Sequence, residues 1–90
     1  MLKTVSITVS GKVQGVFYRQ TSREIANTLG IKGEVKNTQQ ETVVIIATGN
    51  KEQIEEFIQW CWRGPVRAKV ANVIVEEMTL KLFDKFNIVR

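Results

Sequence analysis

From Thr4 to Ser10 the chain alternates without a break, with Val5, Ile7 and Val9 apolar between threonines and serines. A period of two places those three β-branched side chains on one face, which predicts a half-buried strand. The period then lengthens. Tyr18, Ser22, Ile25, Ala26 and Leu29 recur at helical spacing, and Gly30 stands where a left-handed residue would end that helix. Ile31 to Asn37 reads as a short strand, Thr38-Gln39-Gln40-Glu41 as a polar turn, and Thr42 to Ala47 as a β-branched central strand. Asn50 is placed to cap a second helix, and Gln53 three residues on completes a capping-box pattern. Ile54, Phe57, Ile58 and Cys61 form the apolar stripe of that helix, and Gly64-Pro65 stops it. Val70 to Met78 predicts a fourth strand, with Phe86-Asn87-Ile88 as a short terminal addition.

The order is therefore β-α-β-β-α-β. Two right-handed crossovers sharing one sheet predict an α+β, ferredoxin-like sandwich. Its sheet would be antiparallel and four-stranded, with room for a short fifth strand and both helices on one face. That fold hosts many functions, so the architecture alone decides no chemistry.

Composition narrows the chemistry. Ninety residues suffice for one core, and 43% hydrophobic against 24% charged residues marks a folded chain rather than a disordered one. No apolar run approaches a bilayer span, and the alternating strand begins almost at Met1, so neither a membrane helix nor a signal peptide is expected. Cys61 is the only cysteine, which rules out an internal disulfide and points to a reducing cytoplasm. The formal charge of +4 suits an anionic partner without requiring one. There is no histidine, and Asp84 is the only aspartate. A histidine-based triad, an ordinary zinc site and a paired-aspartate metal site are thus all excluded. Catalysis would have to use arginine, lysine, amides, hydroxyls, backbone N–H groups or a glutamate.

One segment answers to that description. "SGKVQGVFYRQ", Ser10 to Gln20, joins the first strand to the first helix. Gly11 and Gly15 permit backbone angles closed to other residues, and the opening N–H groups of a helix lack internal partners. With the helix dipole added, such a loop can hold phosphate or carboxylate. Arg19, on the first turn, offers a planar fork suited to phosphate oxygens. Val16 and Phe17 are expected to tuck into the core and fix the loop's shape. Neither a Walker loop nor a dinucleotide fingerprint is present, because GK[ST] is missing and the glycine spacing is wrong. Spacing alone leaves a second reading open, a glycine-bearing connection with a solvated arginine.

"GKVQGVFYR" closely resembles the signature G-[RK]-V-Q-G-V-x-[FY]-R of the acylphosphatases, enzymes that hydrolyse carboxyl-phosphate anhydrides. "LGIKGEVKN" is similar to that family's L-G-[LI]-x-G-x-V-x-N, "FIQWCWRGPVRAKV" to its second helix and exit, and "FNI" to its terminal strand. The resemblance implies one acylphosphatase-like domain over residues 1–90. It also implies that Arg19 binds phosphate, that Gln14, Gly15, Val16, Phe17, Tyr18 and Arg19 supply the phosphate-binding loop, and that Asn37 handles water. Glu34 stands where tryptophan is frequent, and Gln39-Gln40-Glu41 replaces the usual Asp-Gly turn. Both departures concern packing and turn chemistry.

The chemistry implied is feasible for these residue types. Asparagine cannot deprotonate water but can hold it in line with phosphorus, and positioning with charge stabilisation supplies most of phosphoryl-transfer catalysis. A carboxylate leaving group, with a conjugate-acid pKa of roughly 4, needs no general acid. No cofactor and no metal are expected. The expected partners are a small acyl phosphate as substrate and inorganic phosphate as product and inhibitor, acting on a monomer with no nucleic acid or membrane involved. An RNA-binding module of the same element order would carry stacking aromatics on its central strands, and "TVSITVS" and "TVVIIATG" contain none. A regulatory domain that binds an anion without turnover is the other alternative. Cys61 reads as a core thiol, and Trp60 and Trp62 as cover for the core's edge. Lys12, Arg23 and Lys36 read either as a funnel for anions or as solvated charges.

Overall fold

The computed structural model describes residues 1–90. Strand β1 (Lys3–Lys12) leads to helix α1 (Tyr18–Leu29), then β2 (Lys32–Asn37), β3 (Val43–Gly49), helix α2 (Lys51–Arg63), β4 (Lys69–Met78) and β5 (Phe86–Ile88). The strands form one sheet in the order β4-β1-β3-β2-β5. Every pairing is antiparallel except β2 with β5, which is parallel. The predicted ferredoxin-like sandwich is what forms, with the terminal strand turning the antiparallel sheet into a five-stranded mixed one.

Register explains where the core lies. Val5, Ile7 and Val9 of β1 face Ala47, Ile45 and Val43 of β3, and these in turn oppose Gly33, Val35 and Asn37 of β2. With side chains alternating across the sheet, this one row of positions forms the layer that the helices cover. The apolar members of the row are buried, as are Ala26 of α1 and Ile54, Phe57 and Cys61 of α2. Cys61 is therefore the core thiol the stripe predicted. Trp60 is also buried, 6% exposed, whereas Trp62 is half exposed and does little to cover the core.

One feature of β1 differs from the expectation. The strand continues past Ser10 to Lys12 through a bulge against β4 between Ser10 and Gly11. Gly11 (φ 117°) makes this possible: a Cβ there would lie 2.2 Å from the Lys69 carbonyl oxygen. On the far side of the sheet, Thr4 and Thr48 share a buried 2.7 Å hydrogen bond, and the Thr48 hydroxyl donates to the Lys81 carbonyl at 2.7 Å.

The helix ends follow local rules. Gly30 adopts the left-handed conformation that terminates α1 (φ 80°). Asn50 and Gln53 close a capping box at α2, each side chain meeting the other's backbone N–H at 2.8 Å. Gln53 also donates to the Leu29 carbonyl at 2.8 Å, tying the start of α2 to the end of α1. The turn that lacks the usual glycine places Glu41 at φ 63°, a strained angle for a residue bearing a Cβ.

Candidate active site

Between β1 and α1, buried and exposed residues interleave from Val13 to Tyr18. Val13, Val16 and Tyr18 are buried and pin the loop to the core, while Gly15 and Phe17 face outward. Tyr18 is held from two sides. Its ring lies 5.1 Å from that of Trp60, and its hydroxyl donates to the Cys61 carbonyl at 2.7 Å. Burial pushes the Cys61 thiol up to about 12 and the Tyr18 phenol above its ordinary range, so both stay protonated and structural.

The expectation for Phe17 needs correction. It does not tuck into the core but is 62% exposed, with the backbone in the left-handed region at φ 66°. With Gly15 at φ 74°, two successive reversals bend the chain around an open concavity, and the core space is filled by Val16 and Tyr18 instead. Phe17 is the N-cap of α1, and no side chain caps this helix start. The first turn also carries no acidic residue. Its opening N–H groups, with the helix dipole behind them, therefore remain available to an anion.

Asn37 reaches the same place from the sheet. It is the last residue of β2, and the register with Val43 turns it toward the helix layer, at the end where the β1–α1 loop lies. Its Oδ1 is buried and has no hydrogen-bond partner. An orphaned buried acceptor is uncommon and costs stability unless a water or ligand satisfies it. Gln14 fastens the two segments together: its Nε2 donates to the carbonyls of Thr38 and Thr42 at 3.0 and 2.8 Å. Those threonines in turn share a 2.7 Å hydroxyl contact that closes the turn following Asn37.

The result is a cavity of about 310 Å³ lined by Gly15, Phe17, Tyr18, Arg19 and Asn37, together with Gln20, Ile88 and Arg90. Five of the residues singled out in the sequence thus meet around one cavity. Gln14 and Val16 do not line it; the first ties the loop to the neighbouring turn and the second anchors it in the core. Sequence reasoning missed Gln20, Ile88 and Arg90. The latter two arrive because β5 runs parallel beside β2, with Ile88 opposite Val35. The "FNI" stretch marked that strand, but nothing in it announced the pairing direction. Lys12, Arg23 and Lys36 are exposed and outside the cavity lining.

Fold and site together define a two-layer α+β protein with an uncapped, arginine-bearing helix start set against a strand-end amide. The acylphosphatase family model matches residues 5–88. An acylphosphatase from Pelotomaculum thermopropionicum is 44% identical over 70 residues, 78% of this chain and 76% of that protein. The solved structure of an acylphosphatase from Coxiella burnetii superposes with a TM-score of 0.95 at 38% identity, covering 98% of this chain and 93% of the other. That of Bacillus subtilis also reaches 0.95, at 32% identity over the whole of both chains. The chain belongs to the acylphosphatase family, and hydrolysis of acyl phosphates is its activity.

Proposed function

We propose that the β1–α1 loop and Arg19 bind the phosphoryl group of an acyl phosphate while Asn37 positions the water that attacks it. Phosphoryl oxygens would take those N–H groups between Gln14 and Arg19 that open onto the cavity, and the Arg19 guanidinium would close over the same group. Water held by the Asn37 amide attacks phosphorus, the bond from phosphorus to the acyl oxygen breaks, and the carboxylate departs with the bonding pair. The water's proton passes to a phosphoryl oxygen, giving inorganic phosphate. No side chain need act as a base, which suits a chain without histidine. The reaction as drawn meets the phosphoryl charge with backbone N–H groups and the Arg19 guanidinium and calls on no metal.

The observation that carries this reading is the unpartnered Asn37 Oδ1 at the cavity that Gly15 and Arg19 also line. The buried, unpaired Cys61 supports a cytoplasmic setting, and no helix is long and apolar enough to cross a membrane.

The test is steady-state hydrolysis of acetyl phosphate in excess chelator, with inorganic phosphate added. Undiminished turnover and competitive inhibition are expected. Activity that vanished with chelator and returned with magnesium would overturn the metal-free mechanism.

A further inference from the structure

A second groove of about 430 Å³ adjoins the catalytic cavity, and Phe17 and Gln20 line both. One wall is Val16 and Phe17 of the loop; the other is the turn after α2, with Pro65, Val66 and Arg67. The Pro65 carbonyl accepts from Ala68 N–H at 3.0 Å, which closes that turn and holds Val66 at its tip, fully exposed. Two large apolar side chains, Phe17 and Val66, thus stand in water on either side of one groove. Phe17 does so at a left-handed backbone angle that glycine or asparagine would adopt at lower cost. Strain held at the rim of a reaction cavity is reason to look for a role for the side chain that bears it.

We propose that this groove receives the acyl group of the substrate, and that the Phe17 ring and Val66 select apolar, planar acyl groups such as benzoyl. The inference rests on phosphate occupying the β1–α1 loop, as assigned above. A substrate held there must project its acyl group out of the cradle, and in-line displacement requires the leaving carboxylate to lie away from the attacking water. Asn37 lines only the first cavity, and β2 contributes nothing to the groove. The groove, whose apolar side chains Val16, Phe17, Pro65 and Val66 face it beside the polar Gln20, Thr21, Glu24 and Arg67, is therefore an adjoining exit on the side the water does not use. An aromatic acyl group would stack on Phe17 and remove both surfaces from water.

The experiment compares kcat/KM for benzoyl phosphate and acetyl phosphate in the parent, Phe17→Asn and Val66→Ser proteins. The parent should prefer benzoyl phosphate. The benzoyl-to-acetyl ratio should fall by about tenfold in Phe17→Asn and by about threefold in Val66→Ser. Asparagine tolerates the left-handed angle, which keeps the loop's path. Should that variant fail to fold, Val66→Ser, remote from the loop backbone, decides alone. A parental ratio in both variants, or in Val66→Ser where it is the only one folded, overturns the subsite. Inorganic phosphate competing with both substrates in the parent upholds the phosphate assignment whatever the ratio does. Failure of that competition would overturn the phosphate assignment and the subsite together.

Discussion

The two helices begin in ways that look alike in sequence and differ in structure. Each has glutamine at its third helical position, Gln20 in α1 and Gln53 in α2. At α2 the preceding residue is Asn50, and the two side chains satisfy each other's backbone N–H groups, with Glu52 adding a favourable charge in the first turn. At α1 the corresponding residue is Phe17, which offers no acceptor, and the first turn contains Arg19 and no acid. One helix start is finished by its own side chains. The other has no side-chain cap. On the function proposed above, the difference gives α2 a role in stability and α1 one in binding, and it can be broken or sharpened by substitution.

The largest effect is expected at Arg19, the one side chain on the open helix start with a permanent charge. Arg19→Ala should lower acetyl phosphate turnover by about a thousandfold or more and abolish measurable inhibition by inorganic phosphate. A variant that still bound phosphate as tightly as the parent would remove the argument that α1 is left open for an anion.

Asn37→Ala should lower kcat by about a hundredfold while leaving the phosphate inhibition constant within a few-fold. The carboxamide is assigned to water rather than to the bound anion, so the split between the two constants is the diagnostic. Loss of its orphaned Oδ1 removes an unsatisfied buried acceptor, so urea denaturation should show little destabilisation.

At the closed helix start the pattern should invert. Asn50→Ala removes the Oδ1 that accepts from Gln53 N–H, leaving the reciprocal backbone arm in place, and should cost about 1 kcal/mol in denaturant unfolding, with acetyl phosphate kinetics unaltered. A matching loss of turnover would mean that the two helix starts are not separable in function.

The smallest effect tests the trade-off directly. Gln20→Glu places a carboxylate in the first turn of α1, as Glu52 does in α2. It should stabilise the fold by about 0.5 kcal/mol through the helix dipole and weaken phosphate inhibition by about threefold through repulsion. If stability and phosphate binding rose together, the free helix start would not be the anion's seat.

Much of this was legible before any coordinates. Alternation in β1, the helical stripes, Gly30, the Asn50–Gln53 box and the β-branched run of β3 are local signals. Each depends on residues within a few positions of one another, where propensity and hydrogen bonding act without help from the rest of the chain. The placement of Asn37 was half legible: "KN" at a strand end shows that the residue ends β2, but its facing depends on the Val43 register. Family resemblance supplied its role in the reading; the periodicity alone left it a turn residue.

What the sequence determined by itself, then, was the order of elements, the helix starts and stops, and which residue types were absent from any possible chemistry. The direction of β5 was decided by the tertiary structure, because strand pairing is a contact between segments distant in sequence; it brought Ile88 and Arg90 to the cavity. The outward position of Phe17 was decided there as well. An apolar residue next to two others reads as core by composition, yet Val16 and Tyr18 fill the available volume and the reversals at Gly15 and Phe17 leave the ring outside. Packing space is a property of the assembled layers, and no local pattern records how much of it remains.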